Sequence, residues 1–276
     1  MIAIMNLPTK FDFHTHHERC GHAQGTIRDY IEAAIDCGLS MIGIADHSPY
    51  FGREEDHPYP HITMAKSEFP HYIAEVRQLK KEYEGKIDVL LGIEADFFPE
   101  SVNHYRRCFE PYPFDYIIGS VHYVDGESIF HKTRWEGLSE AQRVKTKEAY
   151  YELIESSARS GMYDILGHID AMKSFYPAFS SIQTAAVEKT LKIIAEQDVA
   201  IEVNTSGKTK DVGGWYPSDD ILELAHHYEV KVTFGSDAHT PERVGDDFEL
   251  VRKKLKEIGY KEWSYFKERK RFSVSL

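Results

Sequence analysis

The chain has 276 residues, 42% hydrophobic and 28% charged, a balance that excludes disordered and fibrous classes and fits a globular protein with ample core. That length is ordinary for one α/β barrel, so a single domain over residues 1–276 is expected. A formal charge of −12 argues against nucleic acid as the main partner, because phosphate-backbone binders present a basic face. A small anionic substrate stays compatible if metal ions invert the local field.

The opening MIAIMNLPTK is interrupted by Asn6 and Pro8 too soon for a secretory apolar region. No later apolar run reaches the roughly 18–20 residues a membrane helix needs. Cys20, Cys37 and Cys108 show no CxxC spacing and read as reduced thiols. The expectation is a cytoplasmic protein without a membrane partner; the oligomeric state stays open.

The stretch FDFHTHHERCGH, Phe11 to His22, runs apolar and alternating into His14 and His16, with His22 six residues on. Residues two apart on a strand share a face, so both imidazoles can point at one spot where the strand ends. Cys20 is a minor ligand candidate beside them. Thr26 to Gly38 reads as a helix with a threonine cap and a terminal glycine. MIGIADH is a buried strand of the parallel type that breaks on Asp46 and His47. Ser48 to Met64, rich in proline, aromatic and charged residues, is long enough to predict a functional loop covering the site.

The theme then repeats. A helix over Lys66 to Gly85 precedes KIDVLLGIEADF, whose apolar run stops on Glu94. A short helix, Ser101 to Glu110, precedes FDYIIGSVHYV, which stops on His122. The connection from Asp125 to Gly161 carries a charged helix from about Ser139 and leads to YDILGHID, with His168 and Asp170 at its break. A helix over Ser181 to Asp198 precedes VAIEVNTSG, ending on Asn204. A helix over Pro217 to Glu229 precedes KVTFGSDAH, with Asp237 and His239. A last helix, Asp246 to Gly259, and a short piece ending KRFSVSL close the chain.

About seven strand-then-helix units imply a parallel sheet with right-handed crossovers. That number fits a closed barrel better than an open sheet, and barrels place their chemistry at the carboxyl ends of the strands. The polar breaks all fall there: seven histidines (His14, His16, His22, His47, His122, His168 and His239), Glu94 and Asp237. Nine donors exceed what one ion takes and suit two or three. His17 is a weak candidate for a supporting role. His57, His61, His71, His104, His131, His226 and His227 read as solvated or packing residues, His61 and His131 being nearest the lid-like loops.

The blocks HTHHERCGH, ADH, GIE, GSVH, GHID and GSDAH, in that order, resemble the motifs of the polymerase and histidinol phosphatase (PHP) superfamily of metal-dependent phosphoesterases. EVNTSG, YPSDDILELAHHYEV and GSDAHTPERVG are most similar to its bacterial histidinol-phosphate phosphatases. The resemblance spans nearly the whole chain. It implies a distorted (β/α)7 barrel and three divalent ions, with zinc, manganese and iron all compatible. By similarity His14, His16, Glu94 and Asp237 hold one ion, Glu94 bridges to a second held by His122 and His168, and His22, His47 and His239 hold the third. The implied activity is hydrolysis of L-histidinol phosphate to L-histidinol and phosphate, in histidine biosynthesis.

The chemistry follows from the donor set. A bridging carboxylate keeps two ions about 3.5–4 Å apart, and a water between them loses its proton near neutral pH; attack by that hydroxide on phosphorus is the expected step. Glu94, Asp237 and Asp46 are the expected catalytic carboxylates. Asp46 competes with Asp170 and a metal-bound water as proton donor, and reads more readily as a hydrogen-bond partner of a ligand histidine. Among Arg134, Lys173, Lys208, Lys210 and Arg243, the pair Lys173 and Lys210 is preferred for phosphate, Arg243 being third. The substrate's amine and imidazole are expected near Tyr50, Phe51, Tyr123 or Asp170. Rival readings are a PHP phosphoesterase acting on another small phosphate ester, on phosphotyrosine or on a nucleotide; an amidohydrolase, disfavoured because no strand stops on the lysine such enzymes use; and a metal-storage or scaffold module.

Overall fold

The computed structural model describes residues 10–276. The reading of MIAIMNLPTK therefore falls, apart from Lys10, outside the described residues.

The first strand, β1 (Phe11–Asp12), leads to α1 (Ile27–Asp36). The Thr26 hydroxyl accepts from the Asp29 amide while the Asp29 carboxylate takes the Thr26 amide, the reciprocal box that starts a helix. Next come β2 (Met41–Ile44), α2 (Phe69–Glu82), β3 (Asp88–Leu91), β4 (Glu94–Asp96), α3 (Val102–Phe109) and β5 (Ile118–Ser120). A short antiparallel ribbon follows, β6 (Tyr123–Val124) against β7 (Glu127–Ser128). The chain continues through α4 (Glu140–Arg159), β8 (Ile165–Leu166), α5 (Ala186–Glu196), β9 (Ala200–Asn204), α6 (Asp219–His227), β10 (Lys231–Gly235) and α7 (Phe248–Ile258). A hairpin, β11 (Glu262–Lys267) with β12 (Lys270–Ser275), ends it.

Two parallel sheets result, ordered β1-β2-β3 and β10-β9-β8-β5-β4. They touch at both margins. On one side the Phe13 amide donates to Phe234 O at 3.1 Å and Thr15 bridges Ala238; on the other, His47 bridges Glu94. The protein is thus α/β with parallel sheets, in the strand-helix order the sequence predicts. All five residues of β9 are buried, as expected where helices cover a parallel sheet.

Three features depart from the sequence reading. The apolar run ending at Glu94 is two strands, because β3 pairs with β2 while β4 pairs with β5. The switch falls at Gly92, where a Cβ would lie 2.4 Å from the ring of Tyr116; a glycine lets that ring fill the space between the sheets. The β6–β7 ribbon was not foreseen; Arg134, one of the basic candidates, is spent on it, donating to Val124 O at 3.0 Å and Glu127 O at 2.9 Å. The closing piece is not an appendage. Trp263 packs on Phe11 and Phe248, each at 4.8 Å between ring centroids, and the Arg269 amide donates to Asp115 O. Phe11 opens β1 and Asp115 precedes β5, so this hairpin seals the amino ends of the strands and leaves the chemistry to the other end.

Tyr116 ties the two sheets together, its hydroxyl donating to Phe13 O at 2.6 Å from a fully buried position. Tyr116→Phe keeps the packing and strands that carbonyl, so a loss of about 1–2 kcal/mol is expected in a denaturant melt, with metal content unchanged.

Candidate metal centre

Seven of the nine predicted donors lie just past the carboxyl ends of strands. His14 and His16 follow β1, His47 follows β2, Glu94 opens β4, His122 follows β5, His168 follows β8, and Asp237 and His239 follow β10. His22 comes from the turn after Cys20. Two donors use left-handed backbone that side chains seldom adopt, His168 at φ 26° and Asp237 at φ 52°. Such strain concentrates at functional sites.

Their functional atoms converge. His16 Nε2 lies 3.0 Å from Asp237 Oδ1 and 3.6 Å from Glu94 Oε2. His14 Nε2 lies 3.5 Å from Glu94 Oε2 and 3.7 Å from Asp237 Oδ1. On its other oxygen, Glu94 faces His168 Nε2 at 3.1 Å and His122 Nε2 at 3.6 Å. His47 Nδ1 is 2.8 Å from Glu94 Oε2, nearer to Glu94 than its assignment beside His22 implies. The closest nitrogen pairs are His122 with His168 at 3.2 Å and His22 with His239 at 3.0 Å. Two imidazoles on one tetrahedral ion at about 2.0–2.1 Å stand about 3.3 Å apart.

The donor set fits cations for a further reason. His14 Nε2, His16 Nε2 and Glu94 Oε2 are buried and, despite these short separations, none is in hydrogen-bonding geometry with a neighbour. Such atoms are normally satisfied. Burial opposes ionisation of Glu94 and Asp237, yet the imidazoles around them hold both carboxyls well below the usual range. The same field works on the histidines. Burial lowers His16 and His122, but Asp237 and Asp46 raise the first, and Asp96 and Glu94 the second, each to about 9. His22 and His239, buried beside other imidazoles, fall to about 4 and about 3. The carboxylates thus favour positive charge at their imidazole neighbours.

A second ring of polar groups, largely missed in the sequence, aims these donors. Glu202, in the middle of β9, takes His14 Nδ1 at 2.9 Å, the His168 amide at 2.9 Å and Asn204 Nδ2 at 2.7 Å. Room for it depends on Gly235, where a Cβ would come within 2.5 Å of Glu202 Oε2 and 2.7 Å of the His14 Cβ. Asp12 accepts the amides of His14, Ser236 and Gly245. Asp96 holds His122 Nδ1 at 2.9 Å, Ser120 donates to Glu94 at 2.6 Å, and Ser206 donates to Asp237 at 2.9 Å. The available signal was an acidic residue inside an apolar strand, FDF and IEV, which a buried parallel strand tolerates only when it is hydrogen-bonded.

Several expected roles change. Asp46 is fully buried behind His16, 3.2 Å from its Nδ1, and accepts the His47 amide at 2.9 Å. Although burial opposes it, His17 and His16 hold its carboxyl well below the usual range, so it orients imidazoles and has no proton to give. Lys173 is buried and paired with Asp170 at 2.7 Å; neither faces the cavity, which removes Lys173 from the phosphate set and Asp170 from the acid and substrate sets. Lys208 is committed to Asp246 and Asp247. Cys20 is buried with its thiol pushed up by burial and then Asp46, and donates to His17 O.

All of the predicted donors except His14 and His16 floor a cavity of about 400 Å³ whose wall includes Lys210, Arg243, Ser206, Thr209, Phe130 and Phe175. Arg243 is fixed by Asp246 at 2.8 Å. Tyr50, Phe51, Tyr123 and the rest of the Ser48 to Met64 loop do not line it, so the loop is not its lid.

A model of the PHP domain matches residues 12–206. The chain belongs to the PHP family. This PHP protein is 35% identical over 248 residues to a probable histidinol-phosphatase of Deinococcus radiodurans, covering 90% of this chain and 93% of that one. It is 31% identical over 261 residues to the histidinol-phosphatase of Bacillus subtilis, covering 87% and 97%. In fold it is similar to the histidinol phosphate phosphatase of Lactococcus lactis, solved with zinc, L-histidinol and phosphate: TM-score 0.78, 20% identity, 95% of this chain and 98% of that one. A putative histidinol phosphatase of Listeria monocytogenes gives TM-score 0.77 at 22% identity, covering 87% and 99%.

Two outcomes are expected. Glu202→Gln removes the carboxylate behind His14 and should weaken metal binding about 10–100-fold without unfolding the protein, as read by metal titration and circular dichroism. Ligation needs neutral imidazoles, so zinc or manganese binding at pH 7 should release protons, measured by calorimetry in buffers of different ionisation enthalpy. Affinity should rise as pH climbs toward about 9, where His16 and His122 lose their protons unaided. The sign reverses for the cation-free fold: those raised histidines stabilise it below about pH 6.5 and cease to as pH passes about 9.

Proposed function

We propose that this protein is a metal-dependent phosphomonoesterase that hydrolyses L-histidinol phosphate to L-histidinol and phosphate, in a cytoplasmic biosynthetic setting. The observation that carries the reading is one cavity with an acidic and imidazole floor, holding buried atoms without partners, under a rim bearing Lys210 and Arg243. The named activity of relatives 31–35% identical over nearly their whole length selects the ester. Among the described residues no helix is long and apolar enough to cross a membrane.

The proposed ligand sets are His14, His16, Glu94 and Asp237 for one ion, Glu94 with His122 and His168 for a second, and His22, His47 and His239 for a third. The close grouping of His14, His16 and Asp237 supports the first, and the third shares His47 and His239 with a close grouping that also includes His16. His47 also groups with Glu94 and His122, so it stands at the seam between the second and third. Zinc, manganese or iron suits such mixed donors. Bound there, such ions supply Lewis-acid charge to a phosphoryl group and lower the pKa of water.

The chain's own residues do the rest. Glu94 and Asp237 keep negative charge fixed on the floor, and Ser120 and Ser206 hold their oxygens in place. Lys210 and Arg243 meet the phosphate oxygens from the rim, Arg243 with its guanidinium plane set by Asp246 and by Thr205 O. Phe130 and Phe175, edge to face at 6.4 Å between ring centroids, exclude water from one wall and offer a flat imidazole an apolar surface. We further propose one domain over residues 1–276 whose sheets close into a distorted (β/α)7 barrel. The Thr15–Ala238 and His47–Glu94 bridges support that closure.

Phosphate release from a panel of monoesters tests the substrate. A preference of several hundredfold in kcat/KM for L-histidinol phosphate over p-nitrophenyl phosphate, on the order of 3–4 kcal/mol, is expected; uniformly weak activity would discard the substrate. Glu94→Gln should lose metal and about 10²–10³-fold or more in kcat with the fold intact. Lys210→Ala should raise KM about tenfold at unchanged stability. Lys173→Ala should instead cost about 3–5 kcal/mol of stability by stranding Asp170.

A further inference from the structure

A second cavity of about 410 Å³ lies behind His122 and shares no lining residue with the first. Its walls are aromatic. Tyr50 meets Tyr59 edge to face at 5.1 Å and Phe98 at 5.4 Å, and Phe98 meets Tyr123 at 6.1 Å between centroids. Its charge has one sign. Asp96, Glu100 and Asp125 line it together with no lysine, arginine or histidine. Asp96 is engaged by His122, whereas Glu100 and Asp125 have no ion-pair partner among the described residues. Thr63, 5% exposed, backs the same wall with its Oγ1 out of reach of solvent.

Each observation narrows the ligand. Ring faces carry negative potential and attract cations, ammonium groups above all. Carboxylates at the same cavity add to that attraction and repel anions, so a phosphate ester is the wrong occupant. The cavity has room for a small molecule with an apolar or flat body. One cation already uses the outside of this box: the Arg53 guanidinium lies over Tyr59 at 5.3 Å. The loop Ser48 to Met64, which does not cover the metal cavity, supplies Tyr50, Tyr59 and Thr63 here.

We infer that this second cavity binds a small organic monocation, an aromatic or heteroaromatic amine without a phosphate, at a site separate from the metal centre. The inference does not depend on the proposed reaction.

The test is calorimetric titration of the metal-loaded enzyme with 2-phenylethylammonium, with 2-phenylethanol as the neutral match. The cation should bind at one site at least tenfold tighter than the alcohol, and saturating inorganic phosphate should leave its affinity unchanged. The double variant Glu100→Gln with Asp125→Asn alters exposed positions, so folding is not at risk, and should weaken the cation at least tenfold. Tyr50→Leu should do the same while keeping an apolar wall. Equal binding of cation and alcohol, displacement by phosphate, or indifference to both sets of variants would each overturn the assignment.

Discussion

Two carboxylates, Glu94, buried, and Asp237, largely so, lie within a few ångströms of each other's imidazole partners, where two parallel sheets meet. Placing negative charge there is possible only if positive charge accompanies it, because an unpaired buried ion is among the most costly features a fold can carry. The surrounding architecture answers that demand. Six histidines arrive from strand ends and a seventh from the turn after Cys20, and the carboxylates raise the affinity of His14, His16 and His122 for protons. Divalent ions are the natural replacement for those protons, so metal binding is expected to release them.

The outer ring gives the constellation its precision. Glu202, Asp46 and Asp96 each bind the far side of a predicted ligand imidazole, so those rings have orientation and tautomer set from behind, while Asp12 fixes the backbone amide of His14. Apart from the partly exposed Asp96, these acids are buried in strands or at their ends, and Gly235 leaves space for Glu202. Meanwhile the terminal hairpin closes the amino ends through Trp263 and Arg269. Stability at one end and chemistry at the other is the division a parallel strand-helix fold encourages.

The strand-helix order and the nine donors were legible in the sequence because both are local: an apolar run, then a polar break with its histidine, glutamate or aspartate. What escaped was non-local. No spacing tells that Lys173 turns inward to Asp170 while Lys210 reaches the cavity, since both follow strand ends at similar distances. The split of β3 from β4 was hidden because Gly92 and Ile93 continue the apolar pattern, and only the Tyr116 ring, far along the chain, explains the change of partner. The Ser48 to Met64 loop was rightly read as unusual in length and composition, but its aromatic residues wall a different cavity. A buried acid in an apolar strand, as at Asp12 and Glu202, was the clue available and unused.

Anomalous diffraction at the metal absorption edges, from crystals of the protein loaded with zinc or manganese, tests the central claim most directly. The account predicts ions within bonding distance of His14, His16, Asp237 and Glu94, with Glu94 shared between two of them and His122 with His168 on the second. Fully occupied crystals with no ion touching Glu94, or with ions bound only outside the nine donors, would contradict it.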